Sequence, residues 1–428
     1  MKTYIQPPRT AWEDLLARPL QQENETIRKR VENIIERVRK DRDAALRELA
    51  DQFDGVKIDS PAVTDDEIAK ADELLDDALK NAIRQARENI IAFHRAQRME
   101  PIRIETMPGV CCEQRSVAIH CVGLYVPGGS APLFSTVLML AVPAQIAGCK
   151  EIVLCTPPRQ DGTIAPEILW TAQLCGVTRI FKVGGAQAVA AMAFGTESMP
   201  RVNKIFGPGN RYVTTAKQLL GLSAMAIDMP AGPSEVMVMA DDTARADFVA
   251  ADLLSQAEHG PDSQGILVTT SPTLAAAVET EVSRQLALLG RAEIATQALA
   301  ESRIFVVASV AEMVEMANLY AAEHLIVETE EPEAIAAQIE NAGSIFLGHY
   351  SPESVGDYAS GTNHTLPTSG WAAAYSGVNL DSFCKKITLQ RLTPEGLRNI
   401  GGTVERMATA EGLDAHRNAV TIRLNSLK

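Results

Sequence analysis

The stretch "NLYAAEHLIVETEEP", residues 318–332, sets Glu323 beside His324 where a helical pattern gives way to a short apolar run. A carboxylate and an imidazole as neighbours can do two kinds of proton work. In a regular helix they point about 100° apart, so they share a target only where the helix ends. A second constellation is "LLSQAEHGPDSQG". Gln256 and His259 stand three apart on one face of a helix's last turn, and Gly260 and Pro261 end that helix. Asp242 or Thr243 can cap its start, and its apolar face includes Phe248, Leu253 and Leu254. Such a pair can hold a metal ion or form a plain polar turn.

Further ligand types lie far away in sequence. Asp357 falls in the glycine-punctuated "SVGDYASGTNHTLP", which also holds His364, and His416 follows Glu411 in "AEGLDAHRNAV". Gln256, His259, Asp357 and His416 together would supply two imidazoles, a carboxylate and a neutral oxygen, a set suited to Zn²⁺. Spacing alone leaves that assembly and four separate surface roles both open. Cys149 and Cys155 raise a different chemistry, aldehyde oxidation through a thiohemiacetal. Both sit in the apolar run "AGCKEIVLCTPP", where a buried inert thiol is the expected state. His94 and His349 have no evident partner and read as surface residues.

No GxGxxG and no GxxxxGK[ST] occurs, so a nucleotide site must rest on other signs. "KVGGAQAVAAMAF" puts Gly184 and Gly185 between a strand and an Ala-rich helix, where backbone can approach a phosphate at a helix N-terminus. "IFGPGNRYV" repeats the device with Gly207, Pro208 and Gly209 leading to Asn210, and "GLYVPGGSAPL" does so a third time. Each alone is an ordinary strand-to-helix connection. Three at the carboxyl ends of predicted strands point to a ligand crevice.

These residues need a scaffold, and the periodicity supplies one. Ile27, Val31, Ile34, Ile35 and Val38 predict an amphipathic helix from 23 to about 53. Thr64 and Glu67 form a capping box for a second helix running to about Arg98. Two long helices thus precede any sheet. From residue 115 onward, nine β-rich runs alternate with helical patterns, which predicts parallel sheets covered by helices. Nine strands are many for one sheet, so two α/β domains are expected. From about residue 380 the chain becomes a helical, charged appendage after "FCKKITLQRLTPEGLRNI". There is no internal repeat and no low-complexity tract.

The net charge of −14, from 40 basic and 54 acidic residues, excludes a nucleic-acid or acidic-membrane surface and favours a small-molecule partner. Seven scattered cysteines without a CxxC read as reduced thiols, and "MKTYIQPPRTAWEDLL" lacks the apolar core of a signal peptide. The most apolar window is broken by Pro127, Gly128, Gly129, Pro132 and Pro143, which makes it a poor membrane span. A soluble, cytoplasmic protein is expected.

"GLYVPGGSAPLFSTVLML", "KVGGAQAVAAMAFGTES", "KIFGPGNRYV", "MPAGPSEVMV", "LLSQAEHGPDSQ", "AAEHL", "YASGTNHTLPT" and "EGLDAHRNAV" resemble, in order, the motifs of the histidinol dehydrogenases, over essentially the whole chain. The resemblance implies a zinc-dependent homodimer that oxidises L-histidinol to L-histidine through histidinal with two NAD⁺. It implies zinc held by Gln256, His259, Asp357 and His416, the last from the partner subunit. It also implies a catalytic pair Glu323 and His324, and NAD contacts at Tyr125, Gln187 and Asn210. Substrate contacts fall at Ser234, Gln256, His259, His324, Asp357, His364, Glu411 and His416. The implied fold is two incomplete Rossmann-like domains with parallel-rich sheets, plus an N-terminal helical arm and a C-terminal helical tail. The corresponding boundaries are an arm at 1–22, a first α/β domain at 23–120 with 236–378, a second, NAD-binding α/β domain at 121–235, and a tail at 379–428 reaching the partner.

Overall fold

The structure is a computed structural model that describes residues 1–18, 25–128, 131–229 and 232–428. Gly129 of the third glycine turn and residues 19–22 of the arm lie outside the described residues.

The strands, in chain order, are β1 (Lys2–Ile5), β2 (Ile102–Met107), β3 (Val110–Ala118), β4 (Cys121–Tyr125), β5 (Glu151–Thr156), β6 (Arg179–Lys182), β7 (Lys204–Phe206), β8 (Ala226–Ile227), β9 (Glu235–Ala240), β10 (Gln264–Thr269), β11 (Arg303–Val306), β12 (His324–Glu328), β13 (Ser344–Leu347) and β14 (Cys384–Leu392). They form three sheets. One is six-stranded, ordered β1-β11-β10-β9-β12-β13, and another is five-stranded, ordered β6-β5-β4-β7-β8. Every pairing in these two is parallel. Setting aside the added edge strand β1, both sheets run third-second-first-fourth-fifth, the order of one half of a doubly wound nucleotide-binding fold. The two expected α/β units with parallel sheets are therefore present.

Central strands such as β9 (EVMVMA) and β10 (QGILVT) are buried along their whole length, as strands covered on both faces must be. Alternation sorts the side chains. Val236, Val238 and Ala240 pack under the helix Ala246–Ala257, while Met237 and Met239 pack with Trp12, Leu16 and the helix Val310–Tyr320. The apolar window of the sequence becomes the helix Phe134–Ala147, whose residues 135–144 are all buried against the five-stranded sheet. Among the described residues no helix is long and apolar enough to cross a membrane.

Several expectations need correction. The sheets do not wait for the helices, because β1 at the start of the chain pairs with β11. The helix expected from Thr64 to Arg98 is two, Asp65–Leu74 with the Thr64–Glu67 capping box and Asp77–Ala96, whose own cap is Asp76 accepting from Leu79 N–H at 2.8 Å. The helix Glu25–Leu49 breaks regularity at Arg42, where φ is 49°. Its apolar face packs with Tyr125, Val153 and Val189, and Ile83, Ile90 and Ile91 of the next helix pack with Val122 and Leu124. The leading helices thus cover the five-stranded sheet, whereas the sequence reading grouped them with residues 236–378.

The third sheet, β14-β3-β2, is antiparallel and was not foreseen. It projects with Ile102 and Ile104 exposed on one face and Ile387 and Leu389 on the other. Thr393 then caps the helix Pro394–Ala410, which pairs with Asp414–Asn425 as a hairpin.

Candidate functional site

His324 opens β12, and Glu323 is the residue before it. The chain reaches them from the helix Val310–Tyr320 through Ala321, whose φ of 52° lies in the left-handed region that most side chains avoid. Packing fixes this tight entry from the far side. A Cβ on Gly343 would lie 2.5 Å from the carbonyl oxygen of Glu323, so the start of β13 can press against the pair only because residue 343 is glycine.

Both side chains are buried. Glu323 Oε2 accepts the backbone N–H of Glu235 at 2.9 Å and stands 3.7 Å from His324 Nδ1, while His324 Nε2 is 3.4 Å from Asp357 Oδ1. Burial pushes the Glu323 carboxyl up to about 8, against the pull of His324. Burial lowers the imidazole, but Glu323, Asp357 and Glu353 outweigh it and raise His324 above the ordinary imidazole range. Asp357 goes the other way. Burial would raise it, yet the adjacent His324, with His364 and His259, holds it below the usual carboxylate range.

Around Asp357 the structure gathers ligand atoms. Those of His259, Glu353 and Asp357 lie within 4.8 Å of one another. Gln256, in the last turn of Ala246–Ala257, is buried with neither Oε1 nor Nε2 hydrogen-bonded. Leaving a buried amide unpaired costs about 1–3 kcal/mol, so a donor set aimed at an absent group explains it. An imidazole, two carboxylates and an amide oxygen fit a divalent cation of the zinc type. Glu353 is the residue that sequence reasoning missed. It lies one helical turn before Asp357, fully buried, with Oε1 accepting from Ser255 Oγ at 2.8 Å and Oε2 unpaired. The signal was its i, i+4 spacing from Asp357.

The helix bearing Gln256 starts at Ala246 without a side-chain cap, because Asp241 takes the N–H and hydroxyl of Thr243 instead. His364 Nδ1 sits 2.9 Å from the Asp357 carbonyl oxygen, and its Nε2 is 3.3 Å from Thr136 Oγ1 at the start of Phe134–Ala147. Ser234 immediately precedes β9 and is half-buried. Glu411 and His416 lie elsewhere, exposed on the C-terminal hairpin and outside the His259, Glu353, Asp357 group.

Tyr125, Gln187 and Asn210 cluster along the carboxyl edge of the five-stranded sheet. Tyr125 ends β4, and its hydroxyl accepts the N–H of Gly185, where φ is +63°. Gln187 is buried in the first turn of Gly185–Phe194. Asn210 caps Arg211–Gly221 through Oδ1, which accepts from Tyr212 and Val213 N–H. Gly207, φ +118°, lets β7 turn against β4, since a Cβ there would meet the Tyr125 carbonyl oxygen at 2.1 Å. This edge, where the strand order reverses between β4 and β7, is where such sheets bind nucleotides. It meets the amino edge of the other sheet through Thr136 and His364 and through Arg211–Asp262 at 2.7 Å.

The remaining titratable residues separate cleanly. His94 is not a surface residue: it is fully buried, with Nδ1 2.9 Å from the Ile90 carbonyl and Nε2 3.4 Å from Asn363. His349 is half-buried near Glu328 and Thr243. Burial raises the Cys149 thiol to about 12 and Cys155 further, so neither is a ready nucleophile.

Comparison with known proteins agrees with the geometry. The profile described as histidinol dehydrogenase matches residues 17–424. The chain is 58% identical to the histidinol dehydrogenase of Bacteroides thetaiotaomicron over 428 residues, all of both chains. It is 54% identical to that of Photobacterium profundum over 418 residues, 97% of this chain and 94% of the relative. Among solved structures, histidinol dehydrogenase from Elizabethkingia anophelis superposes with a TM-score of 0.97 at 52% identity, covering 100% of this chain and 98% of the other.

Proposed function

We propose, on the premise that this chain belongs to the histidinol dehydrogenase family, a division of labour in which Glu323 and His324 carry the proton transfers of a four-electron oxidation of L-histidinol to L-histidine. The enzyme is an NAD-dependent oxidoreductase, and the family uses zinc. The observation that carries the reading is the buried triplet Glu323, His324 and Asp357, with both imidazole nitrogens facing carboxylates.

Oxidising an alcohol to an acid takes two hydride transfers with a hydration between them. His324 takes the hydroxyl proton as hydride leaves the same carbon for NAD⁺. Glu323, held by the Glu235 N–H, then takes a proton from water as it adds to the aldehyde. His324 acts as base again for the second transfer. Gln256, His259 and Asp357 would hold the metal, joined by His416 of the second subunit. When bound, zinc would anchor the substrate through its amine and imidazole nitrogens and so fix its orientation. Ser234, His364 and Glu411 shape the rest of the substrate site. The carboxyl edge at Tyr125, Gln187 and Asn210 holds NAD, close enough to the amino edge of the other sheet for hydride to pass.

The homodimer reading is supported by what one chain leaves open. Glu411 and His416 sit on an exposed hairpin, and Ile102, Ile104, Ile387, Leu389, Met407 and Ile422 around it are exposed apolar side chains. A second copy covers such a surface. The domains we propose are the six-stranded unit, the five-stranded unit with the leading helices on it, and the tail. Seven unpaired thiols suit the reducing cytoplasm, where we place the enzyme.

The test is NADH formed per L-histidinol consumed, with zinc bound and after chelation. Two per substrate, lost with the metal, is expected. One per substrate would make this an alcohol dehydrogenase that releases its aldehyde.

A further inference from the structure

We propose that Asp54 reads the adenosine ribose of the dinucleotide, as a carboxylate that the N-terminal helices deliver to an edge whose own strands lack one. This rests on the assignment of NAD to the carboxyl edge of the five-stranded sheet.

In a nucleotide-binding half of this strand order, ribose hydroxyls are taken by an acid at the end of the second strand. The second strand here is β5, and it ends in Thr156, Pro157 and Pro158 with no acid. Another segment crosses the same edge. Gly162, in the loop after β5, lies against Val56, the Pro61 carbonyl accepts the Lys182 N–H at the end of β6 at 2.7 Å, and Ala62 bridges Phe181. Asp54 sits at the head of this segment, closing the turn Ala50–Asp54 before Gly55.

Among the described residues, two acids near the edge have a buried oxygen without a hydrogen-bond partner, Asp54 and Glu167, and of these Glu167 already faces a cation, Arg159 at 3.7 Å. In Asp54 that oxygen is Oδ2. Burial raises the carboxyl to about 6, and its charge reaches the Tyr125 phenol at the end of β4. Asp228 is engaged by Lys217 at 2.5 Å and by the Gly207 N–H, and Glu67 by Lys182 at 2.9 Å. Asp161, in the loop after β5, is exposed and takes the N–H and hydroxyl of Thr163. The cation that could greet a 2′-phosphate there, Arg159, pairs with Glu167 at 3.7 Å. A carboxylate with an unengaged oxygen accepts from a ribose diol and repels a phosphorylated one.

The experiment is steady-state kinetics of the zinc-loaded enzyme with NAD⁺, with NADP⁺ and with NAD⁺ lacking the adenosine 2′-hydroxyl, for the parent, D54N and N210A. The lost charged hydrogen bond in D54N should raise KM for NAD⁺ by about 10- to 100-fold, with the effect on KM rather than kcat. The penalty for removing the 2′-hydroxyl should be present in the parent and gone in D54N, a coupling that a merely structural role would not produce. The preference for NAD⁺ over NADP⁺ should narrow as well. An unchanged penalty in D54N, with N210A raising KM for NAD⁺, overturns the role of Asp54 and leaves the edge assignment standing. No change of KM in either variant removes the edge assignment and Asp54 with it.

Discussion

The two parallel sheets share one strand order and, in the proposed function, use opposite ends. The five-stranded sheet offers its carboxyl edge, with Gly185, Gly207 and Asn210 opening helices toward a crevice. The six-stranded sheet offers its amino edge, where Ser234 precedes β9, Glu323 and His324 begin β12, and Asp262 precedes β10. Its own carboxyl edge holds buried acids instead, Glu328 at the end of β12 and Asp252 on the helix above. Topology therefore fixes where a ligand can sit on one sheet and says nothing about the other. The chemistry follows from which two edges the chain presses together.

The sharpest way to break this comparison is to strike each edge and compare. H324N at the amino edge should lower kcat for L-histidinol by about 10²–10⁴, the range of general acid–base catalysis, with KM for NAD⁺ little changed. N210A at the carboxyl edge should act on KM for NAD⁺, and it should also cost about 1 kcal/mol of stability through the lost helix cap. Steady-state kinetics of both variants, with thermal unfolding of N210A, check this. Equal effects of both variants on kcat would mean that the edges are not separate in function.

E323Q sharpens the amino edge itself. Glu323 is the charge that raises His324 most, so its loss should lower the imidazole pKa. The neutral base is then present at lower pH, and the acid limb of the rate profile for the first hydride transfer should move to lower pH. The hydration step should fail, so a single turnover should yield one NADH and free aldehyde. Two NADH with an unmoved limb would take Glu323 out of the chemistry.

The tail can be tested by mixing. H324N and H416A homodimers should each be nearly inactive. Random reassortment should restore roughly a quarter of full activity, because half the dimers are hybrids and each hybrid has one intact shared site. Activity of the mixture equal to the mean of the two parents would place His416 in its own chain's site or in none.

Legibility in the sequence followed burial. The strands β4 to β7 and β9 to β13 stood out because strands covered on both faces are continuous apolar runs. The third sheet did not, because its strands expose their side chains and carry only a faint alternation, such as Ile102 and Ile104 or Ile387 and Leu389. β8 has two residues and no pattern to find. At the site, Glu323, His324, Gln256 and His259 were legible as residue types at end-of-helix spacings, and Asp357 as a carboxylate in a glycine-punctuated segment. Which of them meet was not, since His324 and Asp357 come together across 33 positions only when β12 and the helix Glu353–Tyr358 pack. His94 was misjudged for the same reason, as its partners Ile90 and Asn363 are a helical turn and a distant loop.

The smallest expected effect concerns the carboxyl edge of the six-stranded sheet. Asp252 and Glu328 are buried acids that act on each other, and burial, the larger cause, raises them to about 7 and about 8. An unfolded carboxyl releases its proton near pH 4, so between roughly pH 4 and 8 the unfolded state binds fewer protons than the folded one. Stability from this pair is therefore full in acid and is lost as pH rises through that window. E328Q puts a neutral amide in place of the titrating carboxyl. It should be close to neutral at pH 5 and stabilising at pH 9, by a Tm gain of about 1–3 °C for a chain of this size. Unfolding scans of the parent and E328Q at both pH values read the difference. The same pH slope in both would mean that the pair is solvated and that this edge is open, which would restore the six-stranded sheet's carboxyl end as a place for a ligand.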